Sequence, residues 1–122
     1  MRQLATAVVV FCLELQTVGM AGPDLAAARQ AIGARHDAEA RTLLLPVVAA
    51  EPADAEALYL LGSCEARLRE LAPAVEHLAA AVALSPDNAD YLSAYGNACL
   101  RHANKTRSLA LTERGLAALQ KA

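Results

Sequence analysis

Apolar residues recur at helical spacing most clearly between Asp54 and Pro86. Ala55, Ala57, Leu58 and Leu61 load one face of a first segment, with Gly62 in its middle. Ala74, Leu78, Ala81 and Leu84 load one face of a second. Leu68 and Leu71 flank Arg69 and Glu70, which read as a tight turn. Pro73 falls in the first turn of the second segment, where its missing N–H costs nothing. Ser85-Pro86 ends that segment. The pattern predicts two helices joined by a short turn.

The same marks return on either side at a fixed period. Upstream, Ala40, Leu44 and Pro52 repeat Ala74, Leu78 and Pro86. Downstream, Leu92, Tyr95 and Gly96 repeat Leu58, Leu61 and Gly62. Three units are therefore expected, over about 22–53, 54–87 and 88–122. The first opens on a short alanine-rich helix, near 24–32, that lacks the glycine. Its turn is placed at Arg35-His36-Asp37, with Asp37 capping the next helix; Asn88 caps the first helix of the third unit. Pro46 sits inside a helical pattern, where proline costs roughly 3 kcal/mol. That helix is expected to bend near Leu43 and continue to Ala50.

In the third unit the phase slips. Strict spacing would bring Ser108, Thr112 and Gly115 to the packing sites. Inserting seven residues instead puts Gly115, Leu119 and Ala122 in the places of Ala74, Leu78 and Ala81. The insertion falls on the polar stretch from His102 to Leu109. It is expected to lengthen the turn, with the last helix starting near Ser108 and stopping before a closing proline.

These residues resemble the tetratricopeptide repeat, a 34-residue helix–turn–helix unit. Leu58, Leu61 and Gly62 stand where that family keeps an aromatic, a leucine and a glycine. Ala74, Leu78, Ala81 and Pro86 stand where it keeps alanine, an aromatic, alanine and proline. The stretch L-L-L-P-V-V-A-A-E-P is similar to a variant met in bacterial members. The resemblance implies an all-α fold: helix–turn–helix repeats stacked as a short right-handed α-solenoid, with an atypical first repeat. One departure stands out. Glu65 occupies a place where the family has a tyrosine packed between helices. Either that site is partly open to water, or Glu65 turns outward and pairs with Arg69, a contact worth a few tenths of a kcal/mol.

The resemblance also implies a function. Such solenoids bind a peptide or helix of a protein partner on the concave face lined by first helices. The exposed side of those helices is expected to carry Arg29 in the first unit. The second contributes Tyr59, Ser63 and Arg67, and the third Ser93, Asn97 and Arg101. This strip offers hydrogen-bond donors, positive charge for carboxylates and one aromatic ring. Asn97 stands where groove-lining asparagines occur in peptide-binding members. The lysine and paired asparagines of the type that grips chaperone tails are not in place. The alternative is a structural or self-associating scaffold, the terminal piece of a longer array, with Leu109, Leu116 and Leu119 meeting another copy.

Composition supports the fold and removes other classes. Apolar residues make up 56% of the chain and aromatic ones 3%, so the core is built of Ala, Leu and Val. Small side chains suit helices that approach closely and do not suit a sheet. A net charge of −2 leaves no basic field for nucleic acid. Cys12, Cys64 and Cys99 form no C-x-x-C pair, and Cys64 and Cys99 read as small core residues. His36, His77 and His102 are not spaced as metal ligands. Ser63 lacks the strand–turn–helix setting of a nucleophile, and the glycines form no phosphate loop. Neither an enzyme nor a cofactor is expected.

The N-terminus carries a separate signal. Arg2 precedes an apolar run from Leu4 to Leu13, and Gly19-Met20-Ala21 offers small residues for cleavage. Residues 1–21 read as a signal peptide or as an N-terminal apolar helix. The run is too short for an integral membrane span, which needs about 20 apolar residues. A signal peptide would place the protein in the periplasm or outside a bacterial cell; otherwise it is cytoplasmic.

Overall fold

A computed structural model describes residues 21–122, which form six helices and, among them, no strand. They are α1 (Ala21–Gly33), α2 (Asp37–Ala50), α3 (Ala55–Arg67), α4 (Leu71–Leu84), α5 (Ala89–Thr106) and α6 (Leu109–Lys121). Consecutive helices pair as hairpins α1–α2, α3–α4 and α5–α6, and each hairpin stacks on the next through α2 on α3 and α4 on α5. The first helices also meet one another, α1 with α3 and α3 with α5. They crowd the inner side of the curve, while α2, α4 and α6 spread along the outer side. The protein is a short right-handed solenoid of helix–turn–helix repeats. No described helix is long and apolar enough to cross a membrane. The segment expected to act as a signal lies, apart from Ala21, outside the described residues.

Local chemistry explains most boundaries. Asp54 Oδ1 accepts from the Ala57 N–H at 3.1 Å, and Asn88 Oδ1 accepts from the Tyr91 N–H at 3.1 Å. Ser108 Oγ accepts from the Leu111 N–H at 3.3 Å. Each side chain satisfies one of the unpaired N–H groups at a helix start. Asp37 does not do this. It is the first residue of α2, with His36 before it, and its carboxylate accepts from Arg67 instead. Pro46 lies inside α2, which nevertheless continues to Ala50.

Every hairpin turns on an arginine in the left-handed region: Arg35 at φ 65°, Arg69 at φ 66° and Arg107 at φ 56°. The N–H of the following residue closes back over one turn, His36 to the Ala31 carbonyl, Glu70 to Glu65 and Ser108 to Ala103. This closure favours glycine, because a Cβ in the left-handed region costs roughly 1–2 kcal/mol. Arg35→Gly and Arg107→Gly are therefore expected to raise stability by up to about 1 kcal/mol each, after the entropy that glycine adds to the unfolded chain. Thermal denaturation checks this.

The third hairpin corrects one expectation. The extra residues do not lengthen the turn. They lengthen the helices: α5 runs for 18 residues where α3 runs for 13, and only Arg107 and Ser108 separate it from α6. The seven-residue shift itself is correct. A Cβ built on Gly62 would lie 2.6 Å from Leu78 Cγ, and one built on Gly96 would lie 2.6 Å from Leu119 Cγ. Leu119 thus stands to Gly96 as Leu78 stands to Gly62. Seven residues are close to two α-helical turns, so the added length keeps the apolar stripes facing.

The core is small-residue and leucine, as the composition requires. Ala28, Ala40, Leu44, Ala57, Leu61, Ala74, Leu78 and Ala81 are buried. Cys64 and Cys99 are buried and free. Burial pushes both thiols above their ordinary value of 9.0, against the pull of Arg67 at Cys64 and of the Tyr95 hydroxyl at Cys99. In the unfolded chain these thiols ionise near their ordinary pKa while the folded chain keeps them protonated. Their contribution to stability is whole below that pKa and is lost as pH rises through the higher folded values. The urea midpoint is expected to fall between neutral pH and pH about 10, and to fall less in a Cys64→Ala, Cys99→Ala variant.

Glu65 takes neither of the two positions considered for it. It is 1% exposed, so the site is closed, and it does not reach Arg69. The Nδ1–H of His77 on α4 donates to its Oε1 at 2.5 Å. Arg41 on α2 places Nε 3.8 Å from its Oε2, close enough for Coulomb attraction but beyond a hydrogen bond. One carboxylate therefore ties α2, α3 and α4 together across the joint between the first two repeats.

Candidate functional site

The inner face is built from α1, α3 and α5, whose successive turns present one side chain each. All seven residues expected there lie on or at the end of these helices, but they are not equally free. Arg29 is exposed and pairs with Glu56 on α3, joining the first two repeats. Arg67 is exposed, and its Nε–H donates to Asp37 Oδ1 at 2.9 Å. These two cations hold hairpins together. Ser63 and Ser93 are half-buried, and Asn97 and Arg101 are exposed.

Tyr59 has a partner that sequence reasoning missed. Its ring stacks on Tyr91 of α5, with centroids 4.8 Å apart and planes 28° from parallel. The centroid distance lies within the range of attractive aromatic pairs. Burial pushes the Tyr91 hydroxyl above its ordinary value of 10.0, with the carboxylates of Glu56, Asp54 and Asp90 adding to the rise. The N-terminal ends of α3 and α5 thus form an aromatic and acidic region. The C-terminal ends carry Arg67 and Arg101. Glu56 and Tyr91 at one end and Arg69 and Lys105 at the other were not among the residues expected on the face. The repeat pattern gave no signal for Tyr91, which falls where the central unit has the buried Ala57.

Among the described residues no group of His, Cys, Asp or Glu is placed to hold a metal. The buried carboxylate–histidine contact of Glu65 with His77 lies at the joint between repeats rather than on the inner face.

No family model matches the chain, and no curated protein does. Solved structures do. MamA from residue 41 to its end, from Desulfovibrio magneticus RS-1, matches with a TM-score of 0.67 at 22% identity, over 98% of this chain and 72% of that one. A MamA RS-1 double mutant matches with a TM-score of 0.68 at 24% identity, over 97% of this chain and 66% of that one. An arginine-to-glutamate mutant of MamA matches with a TM-score of 0.66 at 15% identity, over 80% and 72%. The likeness shows the fold. At these identities the side chains of the inner face are this chain's own, and the chain spans about two thirds to three quarters of the MamA chains it matches.

Proposed function

We propose that the protein is a non-enzymatic interaction module that binds an extended or helical segment of a protein partner along its inner face. The observation that carries this reading is the run of uncommitted polar side chains on consecutive first helices. Ser63 stands one turn after Tyr59 on α3, and Ser93, Asn97 and Arg101 recur one turn apart along α5, while Arg29 and Arg67 are held in internal pairs. Hydrogen-bond donors beside a rigid aromatic surface suit a peptide backbone, and the scaffold carrying them is already ordered, which lowers the entropic cost of binding.

Site-specific photo-crosslinking in cells tests this. A crosslinker at Asn97 is expected to trap a discrete partner that one at Glu76, exposed on the outer helix α4, does not. Equal trapping from both positions, or from neither, would refute the inner-face reading. Export belongs to the same proposal and rests on the pattern of residues 1–21. Mass analysis of the mature N-terminus decides it, cleavage after Ala21 or nearby supporting export and an intact Met1 opposing it.

A second reading has an observation of its own. Leu109 is 73% exposed and Leu116 49%, both on α6, which packs mainly on α5. Self-association through α6 would bury them. Sedimentation equilibrium separates the readings: a monomer at micromolar concentration excludes assembly through α6, and a dimer lost on Leu109→Ser with Leu116→Ser supports it.

A further inference from the structure

The added length of α5 brings Lys105 to a place where two arginines already stand, at one end of the inner face. Arg69 stands at the left-handed corner between α3 and α4. Arg101 and Lys105 lie one helical turn apart on α5; Arg101 matches Arg67 at the end of α3, while Lys105, with Asn104 beside it, lies in the part of α5 that extends beyond the length of α3. Together with Leu71 these side chains line a cleft of about 390 Å³. Among the described residues, Arg69, Arg101 and Lys105 form no ion pair, whereas Arg67 nearby is taken up by Asp37. The helix dipole accounts for a cation in the last turn of α5. It does not account for Arg69, which arrives from a different hairpin.

The chain is net acidic, so three bare cations around one cleft are a local exception. They repel one another until an anion enters, and guanidinium groups engage carboxylates through paired N–H donors. Leu71 supplies an apolar floor against which the methylenes of a glutamate can lie, and Asn104 a further amide. At the opposite end of the face, Asp54, Glu56 and Asp90 surround the tyrosine stack and disfavour a ligand that is anionic along its whole length. We propose that this cleft binds the carboxylates of a short acidic segment in the protein partner, fixing which way that segment lies along the inner face. This rests on the inner face being the partner-binding surface.

Amide resonances of isotope-labelled protein, followed during peptide titration, test the proposal. The probes are a Gly/Ser peptide carrying a run of glutamates, its glutamine counterpart, and inorganic phosphate. The glutamate peptide is expected to shift Arg69, Arg101, Asn104 and Lys105 saturably, and less so as salt is raised. The glutamine peptide is expected to leave them in place. Arg101→Ala with Lys105→Ala should weaken binding about tenfold or more, the scale of one charge-assisted contact. Arg69→Gly should also weaken it while holding or raising Tm, which separates binding from folding. Arg114→Ala, outside the cleft, should change nothing.

Equal shifts from the glutamine peptide, or shifts at Arg35 and Arg107 without the cleft, would overturn the assignment. So would phosphate binding as tightly as the glutamate peptide, because the cleft would then be a phosphate site. If the cleft fails these tests while crosslinks at Asn97 persist, the partner-binding face stands and only its acidic ligand is wrong. If both fail, both are wrong.

Discussion

Glu65→Ala is expected to destabilise the protein by about 3–5 kcal/mol, the usual result of removing one partner from a buried charged contact. The carboxylate is buried, receives the His77 Nδ1–H and lies near Arg41. Removing it strips a donor of its acceptor, leaves Arg41 without its counter-charge and opens a cavity among three helices. For a domain of this length each kcal/mol moves Tm by roughly 4–8 °C, so thermal denaturation would show a drop well above 10 °C by the same scaling. Replacing both partners should behave differently. Glu65→Leu with His77→Leu fills the joint with apolar volume and leaves neither hydrogen-bonding group behind; Arg41 is partly exposed and can turn to solvent. Substitutions of this kind are often neutral or stabilising. The double variant should therefore recover most of the loss. A Glu65→Ala effect below about 1 kcal/mol, the size of a surface pair, would contradict the joint as described.

Gly96→Ala is expected to cost about 2 kcal/mol, although alanine is the better helix former by about 1 kcal/mol. Its Cβ would meet Leu119 Cγ at 2.6 Å and the Gly115 carbonyl oxygen at 2.9 Å. The leucine cannot withdraw by swinging its methyls alone, and the carbonyl belongs to the backbone of α6. Gly115→Ala should cost a similar amount, since its Cβ would lie 2.9 Å from the Gly96 oxygen and 3.1 Å from Cys99 Cβ. Gly62→Ala meets the same leucine clash, but its backbone neighbour, the Ala74 oxygen, is 3.3 Å away. It should cost less. The central hairpin thus accommodates an alanine at the position where the third has Gly115, and the third packs closer. Gly33 supplies the opposite case. A Cβ there meets nothing within 4 Å, so Gly33→Ala should stabilise by a few tenths to about 1 kcal/mol. Urea denaturation of the four variants gives the ranking, and a destabilised Gly33→Ala beside a neutral Gly96→Ala would invert it.

The sequence pattern was most informative where a side chain marks its own role. Leu58, Leu61, Gly62 and Leu78 set the register of the central hairpin, and the same register located Leu119 across seven extra residues. Asn88 was legible as a cap because its acceptor acts two or three residues away. Interactions between distant segments were not legible. Asp37 has the chemistry of a cap, yet Arg67, thirty residues on, claims its carboxylate. Glu65 lacks an outward partner because His77 and Arg41 approach from neighbouring helices. The polar stretch after His102 looks like a loop by composition. It is helical because Ala103 is buried and the stripe through Cys99 continues onto it, while Asn104, Lys105 and Thr106 face water. That the seven residues expected on the face fall on first helices was legible, but not which of their arginines would be occupied by pairing.

The extended third hairpin and its basic cleft both require α5 to run unbroken to Thr106. Amide hydrogen exchange across residues 102–106 tests this directly. Continuous helix predicts slow exchange there, at rates close to those of the rest of α5 and far below those of an unstructured chain. Exchange at unprotected rates from His102 onward would show a long loop instead, and would contradict both the extended hairpin and the placement of Arg101, Asn104 and Lys105 on one helical surface.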